Sequence, residues 1–114
     1  MNVVRVKDGV EFTVIAPGGF RILSAIDRVA ASCGTDLTIT SACDGEHSGP
    51  NDPHHRGEAY DVRSHDFADS PSKAEFLTEV MAILGTVYFF GFLEAPETDN
   101  EHFHFQVKKG TVYP

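Results

Sequence analysis

The sequence is short of basic residues, has almost no cysteine and carries no long apolar run, and each shortage removes a class of function. Nine lysines and arginines against seventeen acids leave a net charge of −8. Such a surface repels nucleic-acid phosphates and anionic lipid alike, so no nucleic-acid partner is expected. No stretch approaches the roughly 20 apolar residues that span a bilayer, so no membrane partner is expected either. The two cysteines, Cys33 and Cys43, lack the spacing of a zinc ribbon or a disulfide framework. Cys33 is expected instead as a core residue at a helix end. The opening MNVVRVKDGVEF holds neither an apolar signal-peptide core nor a small-residue cleavage site. Synthesis in the cytoplasm is therefore expected, with any release to a cell wall requiring lysis or a partner.

What is present suits one globular domain over residues 1–114, read as a monomer: 41% of the residues are hydrophobic and none of the sequence is low in complexity. VEFTVI (10–15) is β-branched and bounded by turn residues, which predicts a strand. Phe20, Leu23, Ile26, Val29, Ala30 and Cys33 recur at spacings of three and four, predicting an amphipathic helix closed by Gly34. DLTITSA alternates as a half-buried strand, and the Gly-, Ser-, Asn-, Asp- and Pro-rich run from Cys43 to Pro53 predicts a loop. GEAYDVR reads as a strand. SPSKAEFLTEVMAILG reads as a helix with Ser70 as N-cap, Pro71 in the first turn and Gly85 past its end. Its stripe of Phe76, Leu77, Val80, Met81 and Leu84 is expected in the core. TVYFFGFLEA and HFHFQVKKG predict two further strands joined by the acidic loop PETDN. This order predicts an α+β class, an antiparallel sheet with helices packed on one side.

The chain has only six histidines, and three of them lie with three aspartates in NDPHHRGEAYDVRSHD, residues 51–66. A second pair stands in NEHFHFQ, residues 100–106. In the last strand, period-two alternation puts His102, His104 and Gln106 on one face and Phe103, Phe105 and Val107 on the other. Two imidazoles one pleat apart are roughly 6 to 7 Å from each other, close enough to serve one metal with a supporting group beside it. His54 and Asp61 are separated by an odd number of residues, so an unbroken strand would point them to opposite faces. They reach one point only if the chain turns between them, and Gly57 is the residue that permits the turn.

HHRGEAYD and EHFH together resemble the H-x-x-G-x-A-x-D and E-x-x-H signatures of the zinc-dependent D-alanyl-D-alanine peptidases and L-alanyl-D-glutamate endopeptidases. TSACDGEHSGPNDPHHRGEAYDV and HFHFQVKKG also resemble, in order, the pattern of the hedgehog signalling domain, which shares that fold. The resemblance covers about the C-terminal two thirds of the chain. It implies His54, Asp61 and His104 as three zinc ligands with a fourth position left for water, as hydrolytic zinc requires. It further implies Glu101 as general base and His102 as a supporting or oxyanion-stabilising group, with Glu97 the next candidate base and Glu94 the third.

The chain departs from the peptidases in two places: Asp52 stands where serine is usual, and CDG stands where an arginine is usual. Arg56 and Arg63 are the candidates to replace that arginine by a two-pronged contact to a substrate carboxylate. His47 matches a histidine found near hedgehog-type sites and is expected to line the pocket. Asp44 and Glu46 fit the hedgehog calcium pattern, but the partner carboxylates expected near the first helix are missing from APGGFRIL. His55 and His65 are expected on the surface.

The resemblance implies a zinc metallopeptidase of the DD- or LD-carboxypeptidase or endopeptidase type, acting on peptidoglycan stem peptides or D-amino-acid peptides. A zinc-stabilised recognition module without catalysis is the alternative. A non-haem iron oxygenase, whose facial triad is also two histidines and a carboxylate, is the third reading.

Overall fold

The computed structural model describes residues 3–44 and 52–114. The elements run β1 (Val4–Val6), α1 (Pro17–Cys33), β2 (Leu37–Ser41), β3 (Ala59–Arg63), α2 (Ser70–Leu84), β4 (Phe89–Glu94) and β5 (His102–Val107). The strands form one sheet in the order β1-β2-β3-β5-β4 with the two helices packed against it, the expected α+β class. Every pairing is antiparallel except β1 with β2, which makes the sheet mixed. Among the described residues no helix is long and apolar enough to cross a membrane.

The alternation expected of β5 is what sorts the two faces. Phe103, Phe105 and Val107 are fully buried on the helix side, where Phe76 of α2 packs 4.7 Å from Phe103 between ring centroids. His102 and His104 are only half-buried and face the other way. Helix α2 carries Phe76, Val80 and Leu84 into the core as its stripe predicts, with Leu77 and Met81 half-buried at the margin. Its N-cap is Asp69 rather than Ser70: the Asp69 carboxylate accepts the Ser72 N–H at 2.8 Å. A carboxylate satisfies an orphan N–H at a helix start and favours its positive end as well.

Three expectations near the N-terminus are corrected. Residues 10–15 form no strand, because their backbone is spent on fastening loops. Glu11 O accepts Cys43 N at 2.7 Å, and Glu11 N donates to Asp44 Oδ1 at 3.2 Å. The edge strand is Val4–Val6 instead. Helix α1 is present and closes on Gly34, whose φ of 71° allows its N–H to reach Ala30 O. Its buried face, however, is Ile22, Ala25, Ile26, Val29 and Ala30, while Phe20 is 60% exposed. Two buried glycines face the sheet side at the start of the helix, where a Cβ on Gly19 would lie 2.0 Å from Gly57 O. Cys33, expected in the core, is exposed and free; Cys43 is buried and free.

Candidate metal centre

Strands β3 and β5 lie side by side with Asp61 opposite His104 and Arg63 opposite His102. The antiparallel register therefore puts these four side chains on the sheet face away from the helices. The loop between β2 and β3 adds the third element. There Asp52 Oδ1 accepts the His54 N–H at 2.9 Å, and His54 O accepts the Gly57 N–H at 3.1 Å. Gly57 makes the bend with φ at 70°, and its carbonyl is held by Ala16 N and by the Tyr60 hydroxyl at 3.1 Å. Tyr60 is fully buried, and burial pushes its pKa up, so it remains a donor. The aspartate that replaces the usual serine thus performs a turn-capping task that a hydroxyl can also perform.

The bend delivers His54 to Asp61 and His104. One ligand atom from each of the three lies within 4.8 Å of the others, the one such group among the described residues. His104 Nδ1 is 2.8 Å and His54 Nε2 3.5 Å from Asp61 Oδ1. Each imidazole is also held by its far nitrogen. His54 Nδ1 donates to Ala42 O at 2.9 Å, and His104 Nε2 donates to Gln106 Oε1 at 2.7 Å. Such outer hydrogen bonds fix the tautomer and aim the other nitrogen at a common point. Burial acts against the charge of Asp61, yet the bonds from His104 and His54 outweigh it and hold the carboxyl far below its ordinary range. Burial likewise opposes a charged His104, but the bonds to Asp61 and Gln106 and the negative charges of Asp61 and Glu94 raise its pKa. Two imidazoles and one carboxylate, with neighbours that orient them, are a donor set suited to zinc or to iron.

The groups expected around the triad fall into two sets. His102 is beside it: Nε2 lies 3.7 Å from Asp61 Oδ2 and 2.9 Å from Glu94 Oε2, while Nδ1 donates to Asn100 O at 2.7 Å. Glu94, the third-ranked carboxylate, is the one on the metal face, opposite His102 in the β4–β5 register.

Glu101 is not there. Its carboxylate is 5% exposed and fully engaged: Oε1 takes the Ser64 hydroxyl at 2.6 Å and Lys73 Nζ of α2 at 2.5 Å, and Oε2 takes the Glu97 N–H at 2.8 Å. The Glu97 N–H first, then Lys73 and Ser64, lower its pKa to about 2. Three residues from His104, Glu101 turns its carboxylate to Ser64 and Lys73, and the structure does not bring it to the triad. Glu97 is exposed and contributes its backbone to that same cluster.

Arg56 is exposed and bound to Glu58 at 2.8 Å. Arg63 is half-buried on the metal face and lines a cleft with Lys7, His65, Asp61 and His102. His55 is half-buried and His65 exposed. Asp44 serves a turn, its Oδ1 accepting the N–H groups of Glu11 and Ala42. The proposed calcium partner Glu46 and the pocket residue His47 lie outside the described residues. On the β4 side, the rings of Phe92 and Phe90 lie 5.3 and 6.2 Å from that of His104, forming an aromatic wall that the sequence reading assigned only to a strand. Period-two alternation in FFGFLE could have grouped Phe90, Phe92 and Glu94 on one face, but their side of the sheet follows only from the register with β5.

Comparison of the chain with protein-family models, with curated proteins and with solved structures gave no match.

Proposed function

We propose that the chain is a zinc-dependent peptidase acting on short peptides of the peptidoglycan-stem or D-amino-acid type. The observation that carries this reading is the meeting of His54, Asp61 and His104, each imidazole held from behind, on the sheet face away from the helices. The linked motifs HHRGEAYD and EHFH supply the resemblance to zinc peptidases. Zinc is favoured over iron because iron facial triads usually place the first histidine and the carboxylate closer together in sequence. Held there, the ion supplies Lewis acidity, which lowers the pKa of water and polarises a carbonyl.

The remaining work falls to the chain's own side chains. Glu94 accepts the proton of the attacking water and returns it to the leaving amine, replacing Glu101 in that role. His102, fixed by Asn100 O and hydrogen-bonded to Glu94, orients the carboxylate. The aromatic wall of Phe90 and Phe92 excludes water from one side and gives an uncharged substrate residue an apolar surface.

The test is hydrolysis of a panel of stem peptides by metal-analysed protein, with and without a chelator. Glu94→Gln is expected to keep zinc and lose roughly two to four powers of ten in rate, whereas Glu101→Gln leaves the rate per folded molecule unchanged. A second reading, a zinc-stabilised recognition module, draws on the engagement of Glu101 by Lys73, which removes the base that the motif alone would supply. Zinc-loaded protein that hydrolyses none of the panel overturns the peptidase reading and favours the second. Iron in place of zinc on elemental analysis overturns both.

A further inference from the structure

The two edges of the sheet are built differently. Edge strand β1 is three residues long, has Arg5 at its centre and is followed by Lys7. Short length and positive charge are common means of keeping an edge from pairing with another chain. The other edge, β4, has neither. Its six residues, FFGFLE, pair with β5 without a bulge and include no proline, lysine or arginine.

The direction of the β4 backbone follows from one bond. Lys108 N donates to Tyr88 O at 2.8 Å, so Tyr88, and by alternation Phe90, Phe92 and Glu94, turn their N–H and C=O groups toward β5. Phe89, Gly91 and Leu93 turn theirs outward, where no hydrogen-bond partner meets them among the described residues. Tyr113 packs its ring on Tyr88 and Phe89 at one end but makes no backbone bond to the strand. Apolar surface flanks this edge: Val87 is 72% and Phe92 38% exposed, and Leu93 and Met81 are half-buried.

We propose that the outer edge of β4 is a self-association surface, pairing antiparallel with β4 of a second copy of this chain, in place of the monomer expected from the sequence. Charge selects a second copy as the occupant. The Glu94 end of the edge leads into the exposed Glu97 and Asp99, whereas the Phe89 end lies beside Lys108, whose Nζ donates to Thr86 O, and the exposed Lys109. A two-fold antiparallel pairing sets the acidic end of each copy against the basic end of the other, twice. The side-chain pattern is self-complementary as well. A register centred on Gly91 brings Phe89, Gly91 and Leu93 into hydrogen-bonded pairs with Leu93, Gly91 and Phe89 of the second copy. Phe90 then faces the second copy's Phe92 at the closer spacing, twice, on the metal face. The four rings make one apolar strip that joins the aromatic walls of two metal centres. None of this depends on the peptidase reading, because the tests read mass and cross-linking.

Sedimentation of the full chain over roughly a thousandfold range of concentration is expected to show the mass rising from 12.5 kDa toward twice that value, as mass action requires. Leu93→Pro removes one outward N–H and leaves the bonds to β5 in place, a change that edge strands accept. It is expected to keep a cooperative melt and to stay at 12.5 kDa at every concentration. The register is read in a Cys33→Ser background, since Cys33 is the exposed free thiol and Cys43 is buried. With diamide as oxidant, Phe90→Cys mixed with Phe92→Cys is expected to give a disulfide-linked dimer, because directly opposed Cβ atoms lie about 4.5 to 5.5 Å apart. Each variant alone is expected to remain unlinked. Wild type that is monomeric at every concentration overturns the proposal and leaves the edge to an extended segment of another protein. A dimer that persists in folded Leu93→Pro overturns it too, as does a mixture that cross-links no better than either variant alone. If Leu93→Pro does not fold, the cross-linking decides.

Discussion

Gln106 Oε1 accepts the hydrogen bond of His104 Nε2 at 2.7 Å, and the amide's other end donates to Val107 O at 3.2 Å. The second bond orients the amide so that the first is always an acceptor for His104. The imidazole is thereby committed to presenting Nδ1 toward Asp61 and His54. Gln106→Leu, of similar volume, is expected to leave all three ligands in place and weaken zinc binding by roughly 10- to 100-fold, as the loss of such outer partners generally does. Competition against a chromogenic chelator measures it; unchanged affinity would show that strand packing alone aims His104.

Removing a ligand has a larger effect. His54→Ala and His104→Ala are each expected to lose the bound zinc and to melt at a lower temperature than zinc-loaded wild type, because metal affinity for the folded chain adds to its stability. In excess chelator most of that difference disappears. Retention of a full equivalent of zinc by both variants would put the metal elsewhere.

Glu101 predicts a stability effect with a definite pH dependence. Its folded pKa is depressed to about 2, below the ordinary value of 4.5, by the Glu97 N–H, Lys73 and Ser64. The carboxylate therefore contributes stability that is fully present above pH 4.5 and is lost as the pH falls toward 2. Glu101→Gln should unfold at lower denaturant concentration than wild type at pH 7, with the gap narrowing between pH 5 and pH 2. A gap that stays constant across this range would mean that the amide is disfavoured by shape and not by charge.

Gly57→Ala tests the bend. The residue sits at φ 70°, and a Cβ there would lie 2.2 Å from the Val14 carbonyl oxygen, which is backbone and cannot swing aside. A loss of upwards of about 2 kcal/mol is expected from denaturant unfolding. Zinc affinity should fall with it, since His54 is positioned by the same turn. A variant as stable as wild type would show that the loop has room to shift.

The parts legible in the sequence are those set by local periodicity. The alternation of HFHFQV separated the phenylalanines from the histidines, and GEAYDVR, DLTITSA and the 70–85 helix were read from spacing and flanking turn residues. The turn at Gly57 was legible because the separation of His54 and Asp61 demanded one. What was not legible depends on contacts between distant segments. VEFTVI has strand composition, but the N–H and C=O of Glu11 are drawn to Asp44 and Cys43, and nothing local in the sequence reveals that competition. The spacing of α1 places Phe20 and Cys33 on its inner face, but Gly18 and Gly19 occupy that face at the helix start, and small residues carry no hydrophobic signal in the sequence. The side of the sheet taken by Glu94 is hidden for a similar reason. Its place opposite His102 depends on how β4 and β5 register across a loop whose path spacing does not give.

Strand β5 is the last of the described strands in sequence and lies between β3 and β4, which touch each other only through it. During synthesis on the ribosome, β3 and β4 emerge first, each with an unsatisfied edge, and cannot be joined until β5 arrives between them. His104 arrives with that strand. Assembly of the triad and closure of the sheet are thus one event in time, and a nascent chain that has reached only Glu94 offers a metal just two of its three ligands.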